Sequence, residues 1–183
     1  MNKNNYSNYA VNSGLSNVSK ESTELVNAAK KLTDTGKNGV FANQESYDAD
    51  KAYKAVNDFV ANYNETLDAV DKTANTTVNY AANSMSRMTG VMTGSLSKVG
   101  ITVGKDGRLS VNEEEFKNAG FDKVKSLLGS NSSFTGIISS SAQRLGSAAD
   151  QQSRQMMNNT GIYGRYGSYL GNYYSRSQFD GWF

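Results

Sequence analysis

A chain of 183 residues is long enough for one domain with a real core, and its net charge of +2 comes from Lys and Arg scattered among Asp and Glu. No basic stripe points to nucleic acid, and no acidic tail points to a solvating arm. With no Cys and no His there is no disulfide and no thiolate, and the commonest general base and zinc ligand are missing; with no Pro, nothing bars long helices.

The first segment, Met1 to Gly14, is rich in Asn, Ser and Tyr and reads as a disordered N-terminus. It lacks the apolar stretch of a cleavable secretory signal, and nowhere does the chain approach the ~18 apolar residues of a membrane span. Leu15, Val18, Ser22, Leu25, Ala29 and Leu32 then step by three and four, which predicts a helix. Ser22 interrupts its apolar stripe, and Gly36 and Gly39 end it. Val40 and Phe41 are the only large apolar residues in the loop that follows. They either plug the end of a helical hairpin or stand exposed.

The longest signal runs from Lys51 to Val99. Val56, Val60, Tyr63, Leu67, Val70, Ala74, Ala81, Met85, Met88, Met92, Leu96 and Val99 step by three or four, with one step of seven at Ala74–Ala81. That pattern predicts a coiled-coil-like helix of roughly 49 residues spanning about 70 Å. A helix this long must lie along another helix. Asp48 and Asp50 suit its N-terminal end, and Asp68 and Lys72 are spaced as an i,i+4 pair. Gly90 and Gly94 mark either a break or fraying, or a place where another backbone comes close.

Residues 99–111 change period. Ile101 and Val103 alternate with polar neighbours, Asp106-Gly107 supplies a turn, and Leu109 and Val111 alternate again, so a small β-hairpin is expected. Asn112 with Glu115 three residues on reads as a helix N-cap. Short helical turns around Phe116 and around Val124, Leu127 and Leu128 follow. Phe134, Ile137, Ile138, Ala142, Leu145, Ala148, Ala149 and Met156 then predict a last helix of about 23 residues. Val60, Tyr63, Leu67, Val70, Ile138 and Leu145 are expected to be buried against each other. The segment from Asn158 to Phe183 is Tyr/Gly-rich and too dense in Gly for a helix.

The expected organisation is therefore a disordered N-terminus over 1–14, a helical domain with a β-hairpin insert over 15–157, and a Tyr/Gly-rich tail over 158–183. The fold class is mainly α, a long-helix antiparallel bundle or coiled coil with one small β-hairpin.

Few constellations offer chemistry. Asp106, Gly107, Leu109 and Glu113 echo half of a calcium loop, but Thr102 and Gly104 stand where its first acidic ligands belong. Glu113, Glu114 and Glu115 do not face one another on a helix, and a helix N-terminus accounts for them. No Gly-rich segment ends in the Lys-Ser/Thr of a phosphate loop. No enzyme site and no cofactor site is visible. Met85, Met88 and Met92 form either core filling or an adaptable partner surface. Tyr163, Tyr166, Tyr169, Tyr173, Tyr174, Trp182 and Phe183 are the candidate partner-binding residues, because aromatics dominate binding hot spots. They either fold back over the helices or dock on another molecule.

A family resemblance emerges from several stretches together. The helix Val56-Asn57-Asp58-Phe59-Val60-Ala61-Asn62-Tyr63-Asn64 resembles the "FV..YN" helix of flagellar filament-capping proteins (the hook-associated protein 2 family), which precedes a short β-hairpin. Ser95 to Val103 is similar to the family's "L..iGit" entry, Asp106 to Asn112 to its "dGtLslde" hairpin, and Val124 to Gly129 to its "aVksLfg" turn. Phe134 to Ile138 falls where the family re-enters its helical coil. The match covers about residues 50–150. Family members are much longer and carry globular inserted domains that this chain lacks, and their closing coil falls where this chain has its Tyr/Gly tail.

The resemblance implies a non-enzymatic structural or assembly protein like the core of a flagellar filament cap. It would be bacterial, exported to the flagellum or cell surface without a signal peptide, and partnered by itself or by flagellin-like axial proteins. The alternative is a small helical protein-binding module, cytoplasmic, that uses its aromatic tail or Met face. Neither reading involves nucleic acid or a membrane span.

Overall fold

The computed structural model describes residues 3–160. Its first helix, α1 (Lys3–Thr33), buries the whole Leu15-to-Leu32 stripe. Lys30 and Lys31 sit in its last turn, where the helix dipole favours cations. Residues 3–14, expected to be disordered, belong to this helix. A packing partner explains the difference: Val11 packs beside Leu15 and Val18, and the Ser153 hydroxyl on the last helix donates to the Asn12 side chain. In the following loop Phe41 is buried, its ring 6.2 Å from Tyr47, which in turn meets Phe121 edge-on at 5.1 Å. Phe41 is thus the plug rather than an exposed residue.

The second helix, α2 (Ala49–Asp71), is capped by Asp48, whose carboxylate accepts from the N–H groups of Asp50 (3.0 Å) and Lys51 (3.1 Å). The single helix expected over residues 51–99 is not present. Instead α2 ends at Asp71, and α3 (Thr76–Val91) and the short α4 (Thr93–Leu96) follow, then a 3-10 turn at Ser97–Val99. The first break, residues 72–75, falls at the start of the seven-residue step of the stripe. Asn75 takes an extended conformation and its side chain accepts from the Val78 N–H at 3.1 Å, starting a new helix, while Ala74 is left exposed. Folding back lets α3 bury Val78, Ala82 and Met85 against α2 and α7, which one straight rod would leave without a partner in the chain.

The second break follows Val91, between Gly90 in the last turn of α3 and Gly94 in α4. A Cβ added at Gly90 or Gly94 would meet nothing within 4 Å, so these glycines mark a helix break and not a close backbone approach.

The hairpin expected over 99–111 is present with tighter bounds. β1 (Ile101–Val103) pairs antiparallel with β2 (Leu109–Val111), Ile101 opposite Val111 and Val103 opposite Leu109. Val99 belongs to the 3-10 turn before it. Gly100 has φ 72°, and a Cβ there would lie 2.8 Å from the Phe116 nitrogen, so the junction requires glycine. Asn112 caps α5 (Glu113–Asn118) by accepting from the Glu115 N–H at 3.0 Å. Then come α6 (Phe121–Leu128) and α7 (Phe134–Thr160). Residues 158–160, expected in the tail, are in α7.

The described chain is mainly helical, with one small two-stranded antiparallel sheet. α1 lies along α7 and α2, α3 along α7, and β2 rests on α2. Asn12 meets Ser153 while Ser22 meets Gly146, so α1 and α7 run in opposite directions. Ser22 interrupts the α1 stripe with a buried hydroxyl that has no hydrogen-bond partner among the described residues. It packs closely on α7, where a Cβ on Gly146 would lie 3.2 Å from the Ser22 Cβ.

The core has two parts. The larger gathers Leu25, Val56, Phe59, Val60, Tyr63, Leu67, Phe116, Phe134 and Ile138 among others, with Phe59 and Phe134 edge-on at 6.1 Å. The smaller holds Leu15, Val18, Ala69, Val70, Val78, Ala82, Leu145 and Ala149. The six residues expected to pack together are all buried but divide between the two: Val70 and Leu145 belong to the smaller cluster. No described helix is long and apolar enough to cross a membrane.

Candidate functional site

The clearest built site is the junction between α2 and the hairpin. Three consecutive turns of α2 feed it. Phe59 faces inward to Phe134, and one turn on, Tyr63 and Asn64 point to different neighbours. The Tyr63 hydroxyl is buried and donates to Thr89 Oγ1 at 3.0 Å, fastening α3 to α2, while the Thr89 hydroxyl donates to the Met85 carbonyl at 3.2 Å. Burial pushes the Tyr63 phenol up from its ordinary pKa, against the hydrogen bonds to Thr89 and Ser86, which lower it.

Asn64 acts on the sheet. Its Nδ2 donates to the Leu109 carbonyl at 2.8 Å, and the Leu109 N–H donates to Asn64 Oδ1 at 2.9 Å. A side-chain amide thus takes both backbone groups of one residue in β2, as a neighbouring strand would. A two-stranded sheet is marginal by itself; this one is fixed to a helix.

Arg108, next to Leu109, makes the second fastening. Its guanidinium donates to Asp68 (Nε to Oδ1, 3.1 Å, and a shorter contact from Nη2), to Asp71 at 2.9 Å and to Asp106 at 3.5 Å. The hydrogen bonds to Asp68, then Asp71, raise its pKa further above the ordinary Arg value. The expected Asp68–Lys72 pair is therefore displaced: Asp68 is taken by the hairpin. Lys117 repeats the scheme on α5, reaching Asp50 on α2 and Glu113 at 2.5 Å each. These hydrogen bonds, first the one to Asp50, raise the Lys117 pKa, and the same bond holds the Asp50 carboxyl below its usual range. Exposed pairs of this kind contribute little stability singly; their effect is to set where the hairpin and α5 sit.

Beside Arg108 a cleft of about 310 Å³ opens between α2, α3 and the hairpin turn, lined by Asp71, Thr73, Asn79, Asn83, Ser86 and Asp106 among others. Its carboxylates Asp71 and Asp106 are both paired with its guanidinium Arg108, and the other polar lining side chains are amides and hydroxyls, with no nucleophile–base pair. No group of three or more potential metal ligands occurs among the described residues.

The candidate binding residues Tyr163, Tyr166, Tyr169, Tyr173, Tyr174, Trp182 and Phe183 all lie outside the described residues. The Met face is divided: Met85 is fully buried, Met92 half-buried and Met88 exposed. Asn64 and Arg108 were not singled out by sequence reasoning for any role. The only signal was their position, Asn64 closing the "FV..YN" stretch and Arg108 following Asp106-Gly107. Searches of family models, curated proteins and solved structures find no match to this chain.

Proposed function

We propose that this chain is a non-enzymatic structural or assembly protein of the axial, surface-appendage type, similar to the core of a flagellar filament cap. One observation carries the reading. Stretches that resemble the capping family dock on each other. Asn64, from the helix stretch, holds Leu109, from the hairpin stretch, by two hydrogen bonds, and Phe59 meets Phe134 at the start of the re-entrant helix. Separate sequence likenesses thus belong to one physical junction, a small sheet fixed to helices. In this reading the helices form an antiparallel bundle with coiled-coil-like packing, the protein leaves a bacterial cell without a cleaved signal, and its partners are copies of itself or flagellin-like axial proteins.

The test is location and assembly together. Antibody raised against the full chain, used for immunogold electron microscopy on the bacterium that encodes it, should mark surface appendages or their tips. Light scattering on the purified chain mixed with monomeric flagellin from that organism should show a complex. Gold confined to the cell interior, with no complex in solution, would overturn the proposal.

A further inference from the structure

The outer face of α3 carries exposed apolar side chains that have no partner within the described fold. Tyr80 is 71% exposed, Val91 84% and Met88 41%. Tyr80, Ser84, Arg87 and Val91 step by four, three and four, so they form one stripe, with Met88 at its edge. Ser84 and Gly90 leave shallow places beside the larger side chains, and nothing lies within 4 Å of the Cβ position at Gly90. Arg87 is exposed on this stripe and enters no ion pair among the described residues.

We infer that this face is the docking site of the chain's own segment 161–183. The route is set by α7. Asn75, the cap of α3, donates from Nδ2 to Gln152 Oε1 at 3.2 Å, so α7 passes the start of α3 and ends at Thr160 about 12 Å farther on. The chain therefore leaves α7 near the end of α3 that carries Tyr80. From there 23 residues reach up to ~75 Å if extended, against about 24 Å for the length of α3. The reach is ample, with slack to turn back.

The chemistry is complementary. Gly161-Ile162-Tyr163, Gly164-Arg165-Tyr166 and Gly167-Ser168-Tyr169 repeat every three residues. Tyrosine rings suit a shallow face of Tyr, Met and Val with small residues between, and sulfur–ring contact with Met88 adds to the area buried. Arg87 gains an aromatic face or the Asp180 carboxylate as its partner. This assignment does not depend on the appendage reading, because it concerns only how one chain covers itself.

Trp182 is the single tryptophan of the chain and reports directly. In the full-length protein its emission should be blue-shifted from that of the denatured chain and several-fold less accessible to acrylamide. Val91→Asp and, separately, Tyr80→Asp should move the emission toward the denatured position and restore quenching, while far-ultraviolet circular dichroism stays unchanged, because both side chains are exposed in the helical fold. Emission in the unmodified protein that already matches the denatured chain would overturn the inference. So would a blue-shifted emission that neither substitution alters, which would put the segment elsewhere. A blue shift that disappears on dilution would assign the face to a second copy instead.

Discussion

Replacing Asn64 by Ala removes a donor and an acceptor from Leu109 at once. Leu109 is buried, so its N–H and C=O would have to find water or go unpaired. Each unsatisfied buried group costs about 1–3 kcal/mol, and urea titration of Asn64→Ala should show a loss at least of that order. Asn64→Asp should do no better, because a carboxylate keeps the acceptor but sets a negative charge against the Leu109 carbonyl. A loss near zero for both would mean the amide clamp is not holding the sheet. Tyr63 gives a second test at this scale. Its phenol is raised by burial, so the unfolded chain ionises it first, at about pH 10. Stability from Tyr63 is therefore fully present below that pH and declines as pH rises toward the folded value. Tyr63→Phe should cost about 0.5–1.5 kcal/mol at neutral pH from the lost bond to Thr89, and the gap to the native protein should narrow in denaturant titrations above about pH 10. The burial of Tyr63 was legible from its stripe, but neither its bond to Thr89 nor the Asn64 clamp was. Asn64 and Leu109 are 45 positions apart, and a periodicity argument assigns a polar residue to the wet face by default. Asp68 misled for the same reason: the local Asp68–Lys72 spacing was visible, while the long-range pair with Arg108 that displaced it was not.

At the scale of elements, what the sequence carried best was local geometry. The hairpin, its Asp106-Gly107 turn and the Asn112 cap depend on a few adjacent residues, and they occur where those residues predict them. The long helix failed because the stripe was continuous enough to read through its own interruption. Asn75 is a good N-cap residue, and a cap in mid-stripe starts a new helix when the chain has something to fold back onto. Asn75→Ala should cost about 0.5–2 kcal/mol by removing the bond to Val78, measured by thermal denaturation followed by circular dichroism. The glycines separate along the same line. Gly90 is exposed in the last turn of α3 with open space at its Cβ position, so Gly90→Ala should stabilise by about 0.4–1 kcal/mol. Gly100 is left-handed and crowded by α5, so Gly100→Ala should destabilise by more than that gain. Equal melting shifts for the two would show that the junction before β1 is not under this constraint.

At the scale of the whole molecule, the division of the core decides how it opens. The larger cluster holds Phe59, Tyr63, Phe116 and Phe134, and draws on most of the described elements, including the hairpin, α5 and α6. The smaller one joins the early part of α1, the end of α2, the start of α3 and the later part of α7, and three of its eight buried members are alanines. Less apolar area is removed from water there, and the hydrophobic gain scales with that area. Regions with fewer buried apolar contacts open locally at lower free energy than the global unfolding. Native-state hydrogen exchange should therefore find amides around Ala149 to Met156 and Val11 to Val18 opening below the free energy of amides from Val56 to Leu67. Leu145→Ala should cost about 2–5 kcal/mol locally and should speed exchange at the smaller end several-fold more than along α2. If instead every protected amide converges on one opening free energy, and Leu145→Ala lowers all of them equally, the two clusters unfold as a single unit and the division has no dynamic consequence.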